Sequence, residues 1–348
     1  MNFKFGTEEI GGNNKAFIVA EVAQAHDGSV GYAHSFIDAA FEAGVDAVKF
    51  QAHYASYEST MNEPFRINFS FQDASRYDYW KRMEFTKSQW ITLKKYTESK
   101  GLIFLCTPFS EFAVDLLDSI GVIGWKIGSA EASQKWLIDK IIQTGKPIIF
   151  STGMSQIDDI DLIYSNLKEH NVKFAILHCM SMYPTPLDKI GIHNIREYSE
   201  RYEVPIGLSD HSGVIWPSIY AIVNNAKIIE VHIKLNNLAF GPDTTSSLSV
   251  LQIKEIVEAR DAFYIMENSR INEYKLSADL SNNQKIFSRS IALDANYKKG
   301  TKIEKGMILM KKPGTGISEK DITNIIGKTL SKDYDCHYLL ERSYINNI

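Results

Sequence analysis

Eight short apolar runs recur along the first 235 residues, most of them followed by a longer amphipathic stretch, and that rhythm leaves very few folds open. The runs are Phe17–Val22, Ala47–Phe50, Ile103–Cys106, Gly124–Ile127, Ile148–Ser151, Ala175–Leu177, Ile206–Leu208 and Ile229–Val231. Each is too short for a helix, and the set is rich in Val and Ile, so each reads as a buried strand. Successive starts lie mostly roughly 25 to 30 residues apart, the length of one strand–helix unit. Eight such units predict an α/β chain closed into a (β/α)8 TIM barrel. An open doubly wound sheet is the alternative, but no GxGxxG motif follows a strand to support nucleotide binding.

The helices between the runs are legible as well. Tyr32 to Ala43 puts Phe36, Ile37, Ala40 and Ala43 on one face and stops at Gly44; Lys87 to Lys100 stops at Gly101 in the same way. Trp216 to Asn225 joins the last two strands, and Ser247 to Ser269 reads as a long helix after them. The second unit is too long. Residues 52–85 intervene before its helix, aromatic and charged, as expected of a loop that lids a substrate pocket. The barrel domain is assigned to residues 1–270 and a polar, turn-rich linker to 271–284. From residue 285 to 348 the period shifts to two, as in Ser290–Leu293 and Met307–Leu309, with turns at Lys299-Gly300, Lys305-Gly306 and Pro313–Gly316. This predicts a small, mostly-β domain, short of core by itself and so expected to dock on a barrel.

A net charge of -4 argues against bulk attraction to nucleic acid or an anionic membrane. The polar N-terminus lacks signal-peptide character, and no apolar run is long enough to span a bilayer, so a cytoplasmic location is expected. Cys106, Cys179 and Cys336 are widely spaced and form no CxxC, which suggests neither a disulfide framework nor a zinc knuckle.

The chemistry stands at the strand ends. In order they offer Glu21 with Gln24 and His26, then Lys49 and Gln51, Thr107, Lys126 with Ser129 and Glu131, Thr152-Gly153, His178 with Ser181 and Tyr183, Ser209 with His211, and His232. Lysines inside AVKFQ and GWKIGS need an anionic partner, which the neighbouring hydroxyls suggest is a carboxylate or phosphate. His211 and His232, at the ends of consecutive strands, can hold a divalent ion and leave coordination positions open for substrate.

The segments AEVAQAHDG, AVKFQ, CTPFS, KIGSAEAS, STGM, LHCMSMYPTP, GLSDHS, VHIKL, GPD and KPGTGIS, in this order, resemble the sialic acid (N-acetylneuraminate) synthase family, legionaminic and pseudaminic acid synthases included. The resemblance spans nearly the whole chain and makes residues 285–348 similar to the family's antifreeze-like (SAF) domain. It implies condensation of phosphoenolpyruvate with an N-acetylated hexosamine, N-acetylmannosamine or a 2,4-diacetamido hexose, releasing phosphate. It implies a divalent metal on His211 and His232, Mn2+ first and Mg2+ or Co2+ as alternatives. It further implies a homodimer in which the small domain of one chain caps the barrel of the other. Carried over by position, Lys49, Thr107, Lys126, Ser129, Ser181 and Ser209 would hold phosphoenolpyruvate. Gln51, Tyr183, Asp243 and Lys312 would meet the sugar, Glu21 would contact the ion's water or the sugar, and Glu131 would stabilise the developing cation or handle protons. Phe71, Gln72, Arg76 and Tyr77 of the insert are candidates for the sugar pocket. The chain departs from the family pattern at Ala25, Ser181 and Lys312, where Asn, Asn and Arg are usual. A Schiff-base aldolase using Lys126 or Lys49, and a non-catalytic carbohydrate-binding protein, are the alternatives.

Overall fold

A computed structural model describes residues 2–67, 69–270 and 278–346. The chain divides into two compact units, residues 1–268 and 269–348.

The larger unit opens with a hairpin, β1 (Asn2–Phe5) and β2 (Glu8–Gly11), then builds a parallel sheet from β3 (Phe17–Ala23), β4 (Ala47–Ala52), β5 (Ile103–Pro108), β6 (Trp125–Ile127), β7 (Ile148–Ser151), β8 (Phe174–Cys179), β9 (Ile206–Asp210) and β10 (Ile228–Lys234). The sheet order β5-β4-β3-β10-β9-β8-β7-β6 wraps into a (β/α)8 barrel, with β5 and β6 side by side at the seam. All eight expected strands are present. Several run one to three residues further than their apolar core, because buried polar residues continue the ladder where the sequence shows only an end to hydrophobicity.

Strand side chains alternate between two faces, and here the alternation sorts them cleanly. Ile18, Val48, Phe104, Trp125, Phe150, Ile176, Leu208 and Val231 face outward into a shared core with the helices. The opposite face points into the barrel. At its N-terminal end it presents Phe17, Val19, Ala47, Ile103, Leu105, Ile149, Ala175, Leu177 and Ile228, which pack with Phe3, Phe5 and Ile10 of the hairpin. The hairpin, unanticipated in a stretch that reads as polar, thus closes the barrel floor. Its alternation of exposed and buried residues hid three large apolar groups, each contributing about 1.5–3 kcal/mol when fully buried.

Gly207 shows how tightly that floor is packed. A Cβ there would lie 2.3 Å from the Ile228 carbonyl oxygen and 2.6 Å from Leu177 Cδ2. Gly207→Ala should therefore destabilise the protein by about 1–3 kcal/mol in a urea titration, since a backbone carbonyl cannot move aside as a side-chain tip can.

The helices begin and end on local chemistry. Ser29 caps Val30–Ala43 and left-handed Gly44 ends it; Thr86 and Gln89 form a capping box on Lys87–Ser99. The 52–85 insert is folded. Its helix Arg76–Met83 buries Tyr79, Trp80 and Met83 with Ala55. A helix, Val250–Asn268, follows the barrel. Residues 271–277 of the expected linker lie outside the described residues, and 278–284 are helical rather than turn-rich, opening Ala278–Phe287.

The smaller unit pairs β12 (Ser290–Leu293) antiparallel with β13 (Ile308–Lys311), β11 being the two-residue strand Leu248–Ser249 beside β10. It has a core of its own around Ile291, Leu293, Ile303, Ile325, Leu330 and Leu340, contrary to the expectation that it would be short of one. Among the described residues, no helix is long and apolar enough to cross a membrane.

His26, just past β3, is buried against Phe85 at 4.6 Å, with Nδ1 accepting the Gly28 amide at 3.1 Å. Burial, reinforced by the charges of His53 and Arg82, pushes its pKa down to about 3. An unfolded imidazole protonates near about 6.5, so between these values the unfolded state binds the extra proton and stability falls as pH falls. His26 should cost about 2 kcal/mol between pH 6.5 and 5. His26→Asn, whose amide oxygen can take the Gly28 bond, should flatten that part of the stability–pH curve.

Candidate active site

The polar half of the inward face gathers at the C-terminal end of the strands. Lys49 on β4 lies 3.0 Å from Glu21 Oε2 on β3 and 3.1 Å from Glu230 Oε2 on β10. Lys126 on β6 lies 3.3 Å from Glu230 Oε1 and donates to Ser151 Oγ at 2.8 Å. Ser209 donates to Glu230 Oε1 at 2.9 Å. Glu230 is thus the hub that both lysines share, and all of these side chains are buried.

The electrostatics follow from burial and pairing. Burial pulls the Lys49 ammonium toward neutrality, but Glu21 and Glu230 outweigh it and hold its pKa above the usual lysine range. Lys126 is lowered, with burial the main cause and Glu230 pulling only partly against it. Glu230 is held well below the carboxylate range: burial opposes this, yet Lys126 and Lys49 prevail. Burial raises Glu131.

Above this array stand the imidazoles. The His211 and His232 ring centroids are 5.0 Å apart, and His211 Nε2 is 3.2 Å from Tyr183 OH. Burial, then the neighbouring His232, keeps His211 far below its usual pKa and therefore neutral. Its Nδ1 is buried without a hydrogen-bond partner, as is Thr107 Oγ1. A neutral imidazole with a spare ring nitrogen, beside a second imidazole, fits the donor set of a divalent ion. Asp335, Cys336 and His337 form a second group among the described residues, with ligating atoms within 4.8 Å of one another, that could also hold a divalent ion.

Two connected spaces serve these groups. A deep chamber of about 60 Å³ is lined by Glu21, Lys49, Thr107, Lys126, Ser129, Ser151, Ser209, His211 and Glu230. A wider cavity of about 780 Å³ shares Gln51, Ser129, Tyr183 and His232 with it, and adds Glu131, Ser181 and Asp243. Gln51 donates to Glu21 Oε1 at 2.7 Å and accepts from Gln24 at 2.7 Å. Apart from the insert candidates, thirteen of the fourteen residues to which the resemblance gives a site role line these two spaces; Lys312 lies in the smaller unit.

Of the insert, Arg76 lines the cavity, while Phe71 is 96% exposed and neither Gln72 nor Tyr77 faces it. The insert residues that do line it include Phe65, Arg66, Phe69, Tyr79 and Trp80. Sequence reasoning also passed over Glu230 and Ser151. Both share the inward parity of a residue already chosen, Glu230 with His232 on β10 and Ser151 with the adjacent Lys126 register on β7. His178, named as a strand-end group, points the other way, to the Ile190 carbonyl oxygen at 2.6 Å.

A parallel barrel with lysines, carboxylates and paired imidazoles at its C-terminal rim defines a TIM-barrel enzyme for anionic substrates. The NeuB family profile matches residues 36–271, and the chain belongs to that family. Membership makes it a phosphoenolpyruvate-dependent synthase of the nonulosonate type. It is 29% identical to the N,N'-diacetyllegionaminic acid synthase of Legionella pneumophila over 94% of this chain and 93% of that one. It is also 29% identical to the N-acetylneuraminate-9-phosphate synthase of Homo sapiens, over 92% of this chain and 89% of that one. The N-acetylneuraminic acid synthetase of Leptospira borgpetersenii superposes with a TM-score of 0.70 at 28% identity, covering 81% of this chain and 95% of that one.

Proposed function

We propose that the deep chamber binds phosphoenolpyruvate and that the wide cavity presents an N-acetylated hexosamine, in open-chain form, to its C3. The observation that carries this reading is the buried Lys49–Glu230–Lys126 array beside the unpaired Thr107 hydroxyl. Two lysines fixed by one carboxylate keep N–H groups for a second anion, and Thr107, Ser129, Ser181 and Ser209 add hydroxyls around it. A divalent ion held by His211 and His232, Mn2+ by the family resemblance, would polarise the sugar aldehyde.

C3 of phosphoenolpyruvate bonds to the aldehyde carbon, whose oxygen takes a proton from Glu131, and positive charge appears at C2. Glu21, in the wall of the same chamber, offsets that charge. Water adds at C2 and returns a proton to Glu131, which burial makes a readier proton holder than an ordinary carboxylate. The adduct then breaks the bond between C2 and the phosphoryl oxygen, the C2 hydroxyl proton leaves with the phosphate, and a 2-keto acid remains. Gln51, Tyr183 and Asp243 orient the acceptor. Lys312 serves the sugar of a partner chain in a homodimer, for which sedimentation should return twice the chain mass.

Phosphate release from phosphoenolpyruvate should require both an amino sugar and a divalent ion, and should stop in EDTA. Release without any sugar would contradict the assignment. The lowered Lys126 also suits a Schiff base, as in an aldolase; borohydride inactivation in the presence of pyruvate would favour that reading, and metal dependence would count against it.

A further inference from the structure

Resting on the synthase reading, we infer that the acceptor is an uncharged hexosamine and that a sugar phosphate is rejected. The wide cavity is lined by four carboxylates, Glu58, Glu63, Glu131 and Asp243, against two guanidiniums, Arg66 and Arg76, and by no lysine among the described residues. Both guanidiniums are already committed. Arg66 Nη2 lies 2.6 Å from Asp243 Oδ1, with its carbon 4.4 Å from the Tyr183 ring centroid. Arg76 Nε lies 3.2 Å from Glu63 Oε1, Nη1 donates to the Pro64 carbonyl at 3.0 Å, and the group sits over Trp80 at 5.1 Å.

A phosphate entering this space would have to share a guanidinium that a carboxylate already neutralises, since Arg66 pairs with Asp243 and Arg76 with Glu63. Phosphoenolpyruvate in the chamber below would bring a carboxylate and a phosphate, which more than offset the divalent ion proposed on His211 and His232, and a single lysine from a partner chain would not reverse the sign. Like-charge juxtaposition of this kind is a standard means of refusing a competing ligand. The rest of the wall favours apolar substituents. Phe65, Phe69, Tyr79, Trp80 and Phe109 line it, and the His53 ring is stacked between Trp80 at 3.9 Å and Phe109 at 4.0 Å. Amide methyl groups and C–H faces of a sugar suit such a wall, whereas a phosphate would be desolvated there without a partner.

The test compares phosphate release from phosphoenolpyruvate with N-acetylmannosamine, a 2,4-diacetamido hexose and N-acetylmannosamine 6-phosphate, under one metal and one ionic strength. The better neutral sugar should exceed the phosphorylated one at least 10-fold in kcat/KM. Glu63→Gln, which keeps an acceptor for the Trp80 indole but frees Arg76, should shrink that ratio. Equal or better turnover of the 6-phosphate would overturn the inference and leave the synthase reading standing. Release with none of the three sugars would overturn both.

Discussion

Glu230→Ala is expected to lose about 3–5 kcal/mol of stability and nearly all turnover, the largest combined effect of any single change in this site. Glu230 carries two ammonium groups and a hydroxyl on its two oxygens. Its removal strands Lys126, which has no other carboxylate within salt-bridge distance among the described residues, and leaves Lys49 with Glu21 alone. Burial already lowers the Lys126 pKa, and loss of its counter-ion lowers it further, so the ammonium is held less firmly to attract an anion. Glu230→Gln separates the two effects. It keeps an acceptor for Ser209 and most of the packing, yet should still reduce kcat/KM for phosphoenolpyruvate on the order of 100- to 1000-fold. The sign with pH follows. Because the folded pKa of Glu230 is depressed, its stabilisation is full above the ordinary carboxylate range and disappears only as pH falls through the lower folded value. Urea titrations at neutral pH and in acid, with steady-state kinetics, check each part. An alanine variant within 1 kcal/mol of the parent would deny Glu230 its place as hub.

His211→Ala should abolish turnover while leaving the fold in place. The ring is buried and neutral, so replacing it removes no charge from the array below. Calorimetric titration with Mn2+ should show affinity weakened on the order of 100-fold or more, because one of only two imidazole donors is gone. His337→Ala removes a donor from the other possible metal group, Asp335–Cys336–His337, and should leave phosphate release unchanged. If His337→Ala abolishes Mn2+ binding and activity while His211→Ala does neither, the ion belongs to the smaller unit instead.

Hydrophobic rhythm made the barrel readable, because eight strands with buried outer faces cannot avoid showing apolar runs. Most of the candidate site was readable for a related reason: a lysine inside such a run is out of place unless it faces the barrel lumen, whereas a histidine can also be buried facing the helices, as His178 is. What escaped notice was parity. Ile228, Glu230 and His232 alternate along one strand, and only a barrel with an apolar floor and a polar rim explains why the middle member is a carboxylate. The hairpin escaped for the opposite reason, since Phe3, Phe5 and Ile10 are separated by exposed polar residues. Within the 52–85 insert, sequence pointed to Phe71, Gln72, Arg76 and Tyr77, of which only Arg76 lines the cavity, whereas long-range packing adds Phe65, Arg66, Phe69 and Trp80. Contacts such as Arg66 with Asp243, 177 residues apart, leave no local trace.

The most direct observable of this chemistry is which bond of phosphoenolpyruvate breaks. With 18O in the oxygen that bridges C2 and phosphorus, the enzyme, Mn2+ and a neutral N-acetylated hexosamine should release phosphate carrying all of the label, together with a keto acid three carbons longer than the sugar. Label retained on the carbon product, or phosphate formed with pyruvate and no condensation, would contradict it.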